Sequence, residues 1–252
     1  MHGLDINDRV RFLMRATREL GRIEPIDGLE VLDFGCGGGD LVRALRRAGV
    51  NARGCDFSPN LGVDVHLDPI PADHYRLPYP DGSFDLVIST SVFEHAQRTE
   101  ECMAEIHRVL RRGGIAMHAF PGKWYLPVEP HIYVPLVNWL WPLPQRPWLA
   151  LWAVVGIRNE HQKGLSWREV TRLNVTYVRD GLCYRTSKHY GALSDRIFGN
   201  HEWAMGFYIT HSPGGAAALA RRMPCRSLTG WLIREFREGF LVQRKADLKT
   251  DR

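Results

Sequence analysis

Short apolar runs alternate with amphipathic segments through the first half of the chain. Runs bounded by glycine, proline or aspartate are typical of buried strands, and they predict strands over 29–34, 52–56, 84–90 and 115–120, with a fainter candidate over 63–67. Apolar residues at helical spacing predict helices over 7–20, 40–48 and 100–110. Strands that alternate with helices over short connections form a mainly parallel sheet covered on both faces. Residues 29–122 are therefore predicted to form a compact α/β half.

The pattern changes after residue 122. Six of the eight tryptophans fall between residues 123 and 167, and no strand pattern continues there. Ser166 and Glu169 form a capping box, which predicts a helix from 166 to 181. The aromatic residues are either the core of an insertion or an apolar lid over a substrate, with Trp124 and Tyr125 nearest to the fifth strand.

The last part of the chain is predicted to complete the sheet. A helix is expected over 187–198, and strands are expected near 203–210 and 239–244. We therefore predict one domain over 1–252, divided into the α/β half 29–122, a substrate-side insertion 123–183 and the end of the sheet 184–252.

The charge and cysteine content of the chain indicate which classes of partner and which cellular compartment suit it. The formal net charge is +5, from 33 basic and 28 acidic residues, without a run of five or six like charges. Such a balance suits an anionic substrate or surface and gives little support to nucleic acid as a partner. The five cysteines are widely spaced and form no C-x-x-C pair, which disfavours a disulfide framework or a structural zinc site and favours a reducing compartment.

No secretory signal or membrane span is predicted. The first 20 residues are rich in charge, and the uninterrupted apolar run 148–157 has ten residues, about half of the roughly 20 that a spanning helix needs. This run is either a buried helix or an element that lies on a membrane surface. We expect a cytoplasmic protein, with peripheral contact at the inner face of the membrane as an option.

The first predicted strand runs into a glycine-rich turn, Asp33-Phe34-Gly35-Cys36-Gly37-Gly38-Gly39. Glycines allow a tight turn whose backbone can lie against a ligand, and the next helix begins with free N–H groups. A dinucleotide site would need a third glycine where Asp40 stands, and a carboxylate there repels pyrophosphate. S-adenosyl-L-methionine carries a positive sulfonium and an ammonium group and no phosphate, so it suits Asp33 better.

A second carboxylate, Asp56, ends the next strand 23 positions after Asp33. In doubly wound folds this position reaches ribose hydroxyls.

Four segments together resemble the class I, type 11-like family of S-adenosylmethionine-dependent methyltransferases. They are VLDFGCGGG, GCDFSP, LPYPDGSFDLVISTSVFEH and VLRRGGIAM, spread over about 90 of the 252 residues. The resemblance implies a Rossmann-like, doubly wound, mainly parallel seven-stranded sheet, with the aromatic, mostly helical insertion after strand five. It also implies methyl transfer from S-adenosyl-L-methionine, without fixing the acceptor.

The resemblance also implies cofactor contacts. Asp33, Gly35 and Gly37 would line the methionine end, Asp56 would bind the ribose, Phe57 would flank the adenine, and Ser89 would lie near the cofactor after strand four. The family places a further acid at the adenine amine, and here two residues remain open. Asp73 fits by its distance from Leu77-Pro78, whereas Asp68 fits by following the candidate third strand. Only 16 residues separate Asp56 from Asp73, too few for the usual helix plus strand.

Three residues are candidates for catalysis. His95 and Glu94 follow strand four at the carboxyl edge of the sheet, where ligands of open α/β sheets bind, and His131 lies in the insertion. A histidine suits a general base near neutral pH, although a structural role of the Glu-His pair is equally compatible with the sequence. We predict no metal, because Glu94 and His95 supply too few ligands. His118 is expected to be a core histidine.

The predicted reaction is methylation of a hydroxyl on a small molecule, a sugar or a glycolipid. Asn/Asp-Pro-Pro-Tyr, the signature of amino-group methyltransferases, is absent after strand four, where Ser89-Thr90-Ser91-Val92 stands. The alternatives are an RNA methyltransferase and a non-catalytic module that only binds S-adenosylmethionine.

Overall fold

A computed structural model describes residues 4–57, 66–71 and 75–246 of the chain. Within these residues, seven strands form one sheet in the order β3-β2-β1-β4-β5-β7-β6. The strands are β1 Glu30–Phe34, β2 Asn51–Asp56, β3 Leu67–Pro69, β4 Phe84–Thr90, β5 Leu110–Pro121, β6 Glu202–Trp203 and β7 Glu238–Arg244. Strands β1 to β5 run parallel, whereas β7 lies antiparallel to both β5 and β6. The predicted mainly parallel, Rossmann-like seven-stranded sheet is confirmed.

Ten α-helices accompany the sheet in the described part of the chain. They are α1 Ile6–Glu19, α2 Asp40–Arg47, α3 Thr99–Val109, α4 Val137–Leu140, α5 Arg146–Val155, α6 Trp167–Thr176, α7 Ser187–Phe198, α8 Met205–His211, α9 Gly215–Ala220 and α10 Arg226–Phe236. A 3₁₀ turn, Glu160–Gln162, and a π-helical turn, Tyr177–Gly181, complete the insertion. The predicted capping box is present, because the Ser166 hydroxyl accepts from the Glu169 N–H and Glu169 accepts from the Ser166 N–H. None of these helices is both long and apolar enough to cross a membrane.

Two strand predictions need correction. The third strand is Leu67–Pro69 and not 63–67, of which 63–65 lie outside the described residues. The strand expected over 203–210 stops at Trp203, and α8 follows it. Met205, Tyr208 and Ile209 are spaced for one face of a helix, and all three are buried in the core beside Phe240.

Apolar side chains fill both faces of the sheet, and a third buried cluster belongs to the insertion. This third cluster contains Leu149 and Tyr184, and Trp141, Trp148 and Trp152 pack against it. These tryptophans therefore form core. Trp139 and Trp167 are instead 38% and 43% exposed.

His118 is a satisfied core histidine, as predicted. It is fully buried in β5, and burial lowers its pKa to about 3. Its Nε2–H donates to Gln243 Oε1 (3.1 Å), so its Nδ1 accepts from the Ser89 hydroxyl (2.7 Å).

Ser89→Ala should lower the free energy of unfolding by about 1–3 kcal/mol, because it leaves the buried His118 Nδ1 without a donor. Urea denaturation measures the change. Ser227→Ala, at an exposed serine, is the matched control and should stay within about 0.5 kcal/mol of the wild type. Equal stability of the two variants would contradict the prediction.

Candidate cofactor and acceptor site

The turn between β1 and α2 bends sharply at three glycines. Gly35, Gly37 and Gly39 have φ of 77°, 53° and 78°, a region that side chains other than glycine rarely adopt. The Gly35 N–H donates to the Cys55 carbonyl (2.8 Å), which ties the turn to the end of β2. A Cβ on Gly35 would lie 2.3 Å from Val92 Cγ2, so only glycine fits between the turn and the segment after β4.

The two acidic strand ends meet at this turn. The Gly37 N–H donates to Asp56 Oδ2 (2.8 Å), so the carboxylate at the end of β2 contacts the backbone of the glycine turn. Around Gly37 and Gly38, an added Cβ would meet no atom within 4 Å. The backbone of the turn is therefore open to a ligand.

A cavity of about 260 Å³ lies between this turn and the segment after β4; we call it the turn cavity. Its lining is Phe34, Gly35, Asp56, Phe57, Ile70, Tyr75, Ser91, Val92, His95 and Ala96. The Phe57 and Tyr75 rings pack edge to face at 5.0 Å between centroids. Apolar and aromatic walls with one carboxylate suit a nucleoside, whose base packs on rings while its ribose hydroxyls donate to Asp56.

Asp33 is buried at the end of β1 and has an unsatisfied oxygen. Its side chain is 2% exposed, and Oδ1 lacks a hydrogen-bond partner. Burial raises the pKa of Asp33 to about 7; nearby Asp56 raises it further and Arg9 opposes the rise. A cationic ligand at the turn would stabilise the carboxylate, which is what the sulfonium and ammonium groups of S-adenosylmethionine supply.

A second, smaller cavity adjoins the turn cavity at Ser91, which lines both; we call it the polar cavity. Its lining is Ser91, Glu94, Pro121, Tyr125, Pro130, His131, Arg237 and Glu238. The structure thus brings the three catalytic candidates together, since Glu94 and His131 line the polar cavity and His95 lines the turn cavity. The His95 and His131 rings lie 4.9 Å apart, edge to face.

Glu129, a residue that the sequence did not point to, fixes His131. The Glu129 carboxylate is fully buried and accepts from His131 Nδ1–H (2.8 Å), from the backbone N–H groups of His131 and Ile132, and from the Tyr184 hydroxyl. Burial lowers the pKa of His131, but the Glu129 hydrogen bond and charge, together with Glu94, outweigh it and leave that pKa raised. Because Nδ1–H donates to Glu129, Nε2 is the acceptor nitrogen of the neutral His131 ring.

His95 and Glu94 differ in their surroundings. His95 Nδ1–H donates to the Gly181 carbonyl (2.6 Å), and burial is the main reason why the pKa of His95 is lowered. Glu94 is 1% exposed, its Oε2 has no partner, and burial raises its pKa to about 8. A carboxyl group that keeps its proton near neutral pH can donate a hydrogen bond into the cavity.

Comparison with known proteins identifies the family. Residues 32–118 match the type 11 family described as "Methyltransferase domain". A ubiquinone biosynthesis O-methyltransferase of Paramagnetospirillum magneticum is 29% identical over 202 residues, which cover 69% of this chain and 80% of the relative. Residues 32–118 are therefore a methyltransferase domain, and the protein is an S-adenosylmethionine-dependent methyltransferase.

Two further similarities are more limited: one covers only part of the relative's length, and the other extends only to the fold. The cycloartenol-C-24-methyltransferase of Arabidopsis thaliana is 35% identical over 98 residues, 34% of this methyltransferase and 29% of the relative. An S-adenosylmethionine-dependent methyltransferase of Mesorhizobium loti shares the fold, with a TM-score of 0.51 and 18% identity over 91% of this chain and 97% of that one. S-adenosyl-L-methionine is the cofactor of this methyltransferase.

Asp33 and Gly37 lie at the glycine turn without lining the turn cavity, and two further predicted cofactor contacts, Ser89 and Asp68, are bonded elsewhere. Ser89 is 1% exposed and bonded to His118 inside the sheet, and it does not line the turn cavity; Ser91, two residues later, does. Asp68 pairs with Arg53 (2.7 Å) and accepts from the Tyr79 hydroxyl (2.8 Å), also away from the cavity lining. Asp73 lies outside the described residues, so it remains a prediction for the adenine contact.

Gly37→Ala should weaken S-adenosylhomocysteine binding at least tenfold, because a methyl group would occupy the open side of the turn. Gly28→Ala is the matched control: φ is +79° there, and an added Cβ also meets no atom within 4 Å. Calorimetric titration measures both, and equal affinities in the two variants would contradict the prediction.

The affinity for S-adenosylmethionine should rise with pH and level off above about 7, the pKa of Asp33 in the unliganded protein. Below that pH the cation binds only after Asp33 loses its proton, so affinity should fall by up to about tenfold per pH unit. Asp33→Asn should bind weakly at every pH, whereas Asp27→Asn, at an exposed carboxylate, should keep the wild-type profile. A flat wild-type profile would contradict this role of Asp33.

Proposed function

We propose that this methyltransferase methylates a hydroxyl group of a small, largely apolar or glycolipid acceptor, with His131 as the general base. The observation that carries the proposal is the hydrogen bond between buried Glu129 and partly exposed His131, which lines the polar cavity beside the turn cavity. The bound cofactor supplies an activated methyl group and a good leaving group. The protein therefore has to orient the acceptor and accept its proton.

Each nearby group has a role in this proposal. His131 Nε2 takes the hydroxyl proton, and the Glu129 carboxylate stabilises the imidazolium that forms. Glu94 places its unpartnered oxygen in the same cavity and holds the acceptor hydroxyl. His95, bonded to Gly181 and packed on the His131 ring, is a positioning residue that fixes the plane of that ring.

Two kinds of observation favour a largely apolar acceptor. Ubiquinone and cycloartenol, which appear in the names of two relatives, are both largely apolar molecules. On α5, Leu151, Val154 and Val155 are 52%, 63% and 63% exposed and share one helix face. We infer that this face makes peripheral contact with a membrane that holds the acceptor, at the cytoplasmic side.

The acceptor class can be tested directly. Purified protein is incubated with S-adenosylmethionine that carries a trideuterated methyl group, together with the lipid, small-molecule or RNA fraction of a cell extract. We expect label on an oxygen in the lipid or small-molecule fraction, with Gly37→Ala as the inactive control. Label on nitrogen or carbon, label in RNA, or cofactor binding without label in any fraction would overturn the proposal.

His131→Gln should lower kcat by about 10²–10⁴-fold, the usual contribution of a general base, without changing the affinity for S-adenosylhomocysteine. His161→Gln, at an exposed histidine of the insertion, is the matched control and should keep wild-type kcat. An equal loss of kcat in His131→Gln and His161→Gln would show that His131 is not the general base.

The pH profile gives a second test of the pair. Activity should rise with pH through the raised pKa of His131, because only the neutral imidazole accepts a proton. Glu129→Gln removes the charge that raises this pKa, so the acid limb of kcat/KM should move to lower pH. An unmoved acid limb, or one that moves to higher pH, would contradict the assignment.

A further inference from the structure

An open apolar groove of about 460 Å³ lies between α9 and α10, outside the site described above. The lining is Gly215, Ala216, Leu219, Ala220, Met223, Thr229, Leu232, Ile233, Phe236 and Arg237. Small residues of α9 leave room beside the larger side chains, of which Leu219 and Met223 are 65% and 43% exposed. Large exposed side chains around an apolar concavity are typical of a ligand site.

The sequence around the groove is mainly basic, and the first acid after residue 204, Glu235, pairs with Arg234. From residue 204 to residue 234 the sequence contains four arginines, Arg221, Arg222, Arg226 and Arg234, and no aspartate or glutamate. Arg222 and Arg226 are exposed next to the groove-lining Met223. A ligand with an apolar chain and an anionic group would therefore match both features of the surface.

The groove and the polar cavity share one lining residue. Arg237 follows α10 and lines both the groove and the polar cavity, where Glu94 and His131 lie. Its guanidinium lies 5.0 Å from the centre of the Tyr125 ring and donates to the Leu126 carbonyl, so its position is fixed from the side of the insertion. A chain in the groove would thus point its head toward the proposed base.

Aromatic rings extend the apolar surface along the same side. Phe236 of the groove contacts Trp231 and Trp139, at centroid distances of 5.9 and 6.2 Å, and Trp139 contacts Trp124 at 5.2 Å. Trp139 and Trp231 are 38% and 47% exposed. Indole rings that are half exposed suit a boundary between apolar chains and water.

We propose that the α9–α10 groove binds the alkyl or isoprenoid chain of an anionic amphiphilic acceptor, whose head group passes Arg237 into the polar cavity. The direction of the head group rests on the proposed function; binding of the chain does not. The groove thus selects acceptors by their chain, while Glu94 and His131 act on the hydroxyl.

The test uses cis-parinaric acid, a fatty acid whose fluorescence rises in apolar surroundings, with the full-length protein and no cofactor. We expect saturable binding to the wild type and at least tenfold weaker binding to Leu219→Glu and to Met223→Glu, because each carboxylate repels the chain and the acid. Leu143→Glu, at a leucine that is 63% exposed and lies outside the groove, is the matched control and should bind as the wild type does. Two separate groove variants are used so that a folding defect in one leaves the other informative.

A second comparison tests the position of the head group. Arg237→Gln should weaken binding of the acid several-fold but leave the binding of its methyl ester unchanged, because only the acid carries a charge for the guanidinium. If Arg237→Gln weakens binding of the acid and of its methyl ester equally, the head group does not lie at Arg237.

Three outcomes would overturn binding of the chain. One is the absence of saturable binding, and another is an equal loss of binding in Leu143→Glu. The third is a dimer, seen by light scattering, that Leu219→Glu dissociates and the fatty acid does not, since a second copy would then cover the groove. Because no methyl transfer is measured, failure of the proposed function leaves this result intact, and the reverse also holds.

Discussion

The carboxyl groups of Asp33, Glu94 and Glu129 are buried at one edge of the sheet. Their removal from water has a free-energy cost, and the rest of the site depends on how this cost is offset. Glu129 is satisfied by four donors, including His131. Asp33 and Glu94 each keep an oxygen without a partner, and burial raises the pKa of both. An unpaired buried carboxylate is costly, so the unliganded site favours whatever supplies positive charge or a hydrogen-bond donor at these two positions.

The cofactor half of the site follows from short-range rules that can be read in the sequence. A buried strand, three glycines at positive φ and a helix start are local features, and the parallel pairing of β1 with β2 brings Asp56 to Gly37. The predicted bounds of β4 and α7 agree with the structure for the same reason. Three of the predicted contacts, Gly35, Asp56 and Phe57, therefore line one cavity.

The remaining details depend on tertiary contacts that a single sequence does not contain. Ser89 lies in β4 and Ser91 directly follows that strand, and only the partner His118 shows that Ser89 belongs to the core. Asp68 pairs with Arg53 on the neighbouring strand, and the sequence gives no sign of that pairing. The sequence did not single out Glu129, because it lies in a segment without regular structure, where no periodic pattern indicates which side chains meet. Only the structure shows that it bonds to His131, two residues later. The signal that was available is an acid close to a histidine within a run of apolar residues.

The π-helical turn Tyr177–Gly181 has a consequence for how such enzymes diversify. The Gly181 carbonyl at its end accepts a hydrogen bond from His95 Nδ1–H. A segment of the insertion therefore decides which ring nitrogen of His95 is protonated. If the insertion were exchanged for another of different length, both the shape of the acceptor site and the tautomer of that ring would change in one step. Under the proposed function, acceptor recognition and proton handling thus depend on the same segment, whereas the glycine turn of the proposed cofactor site does not.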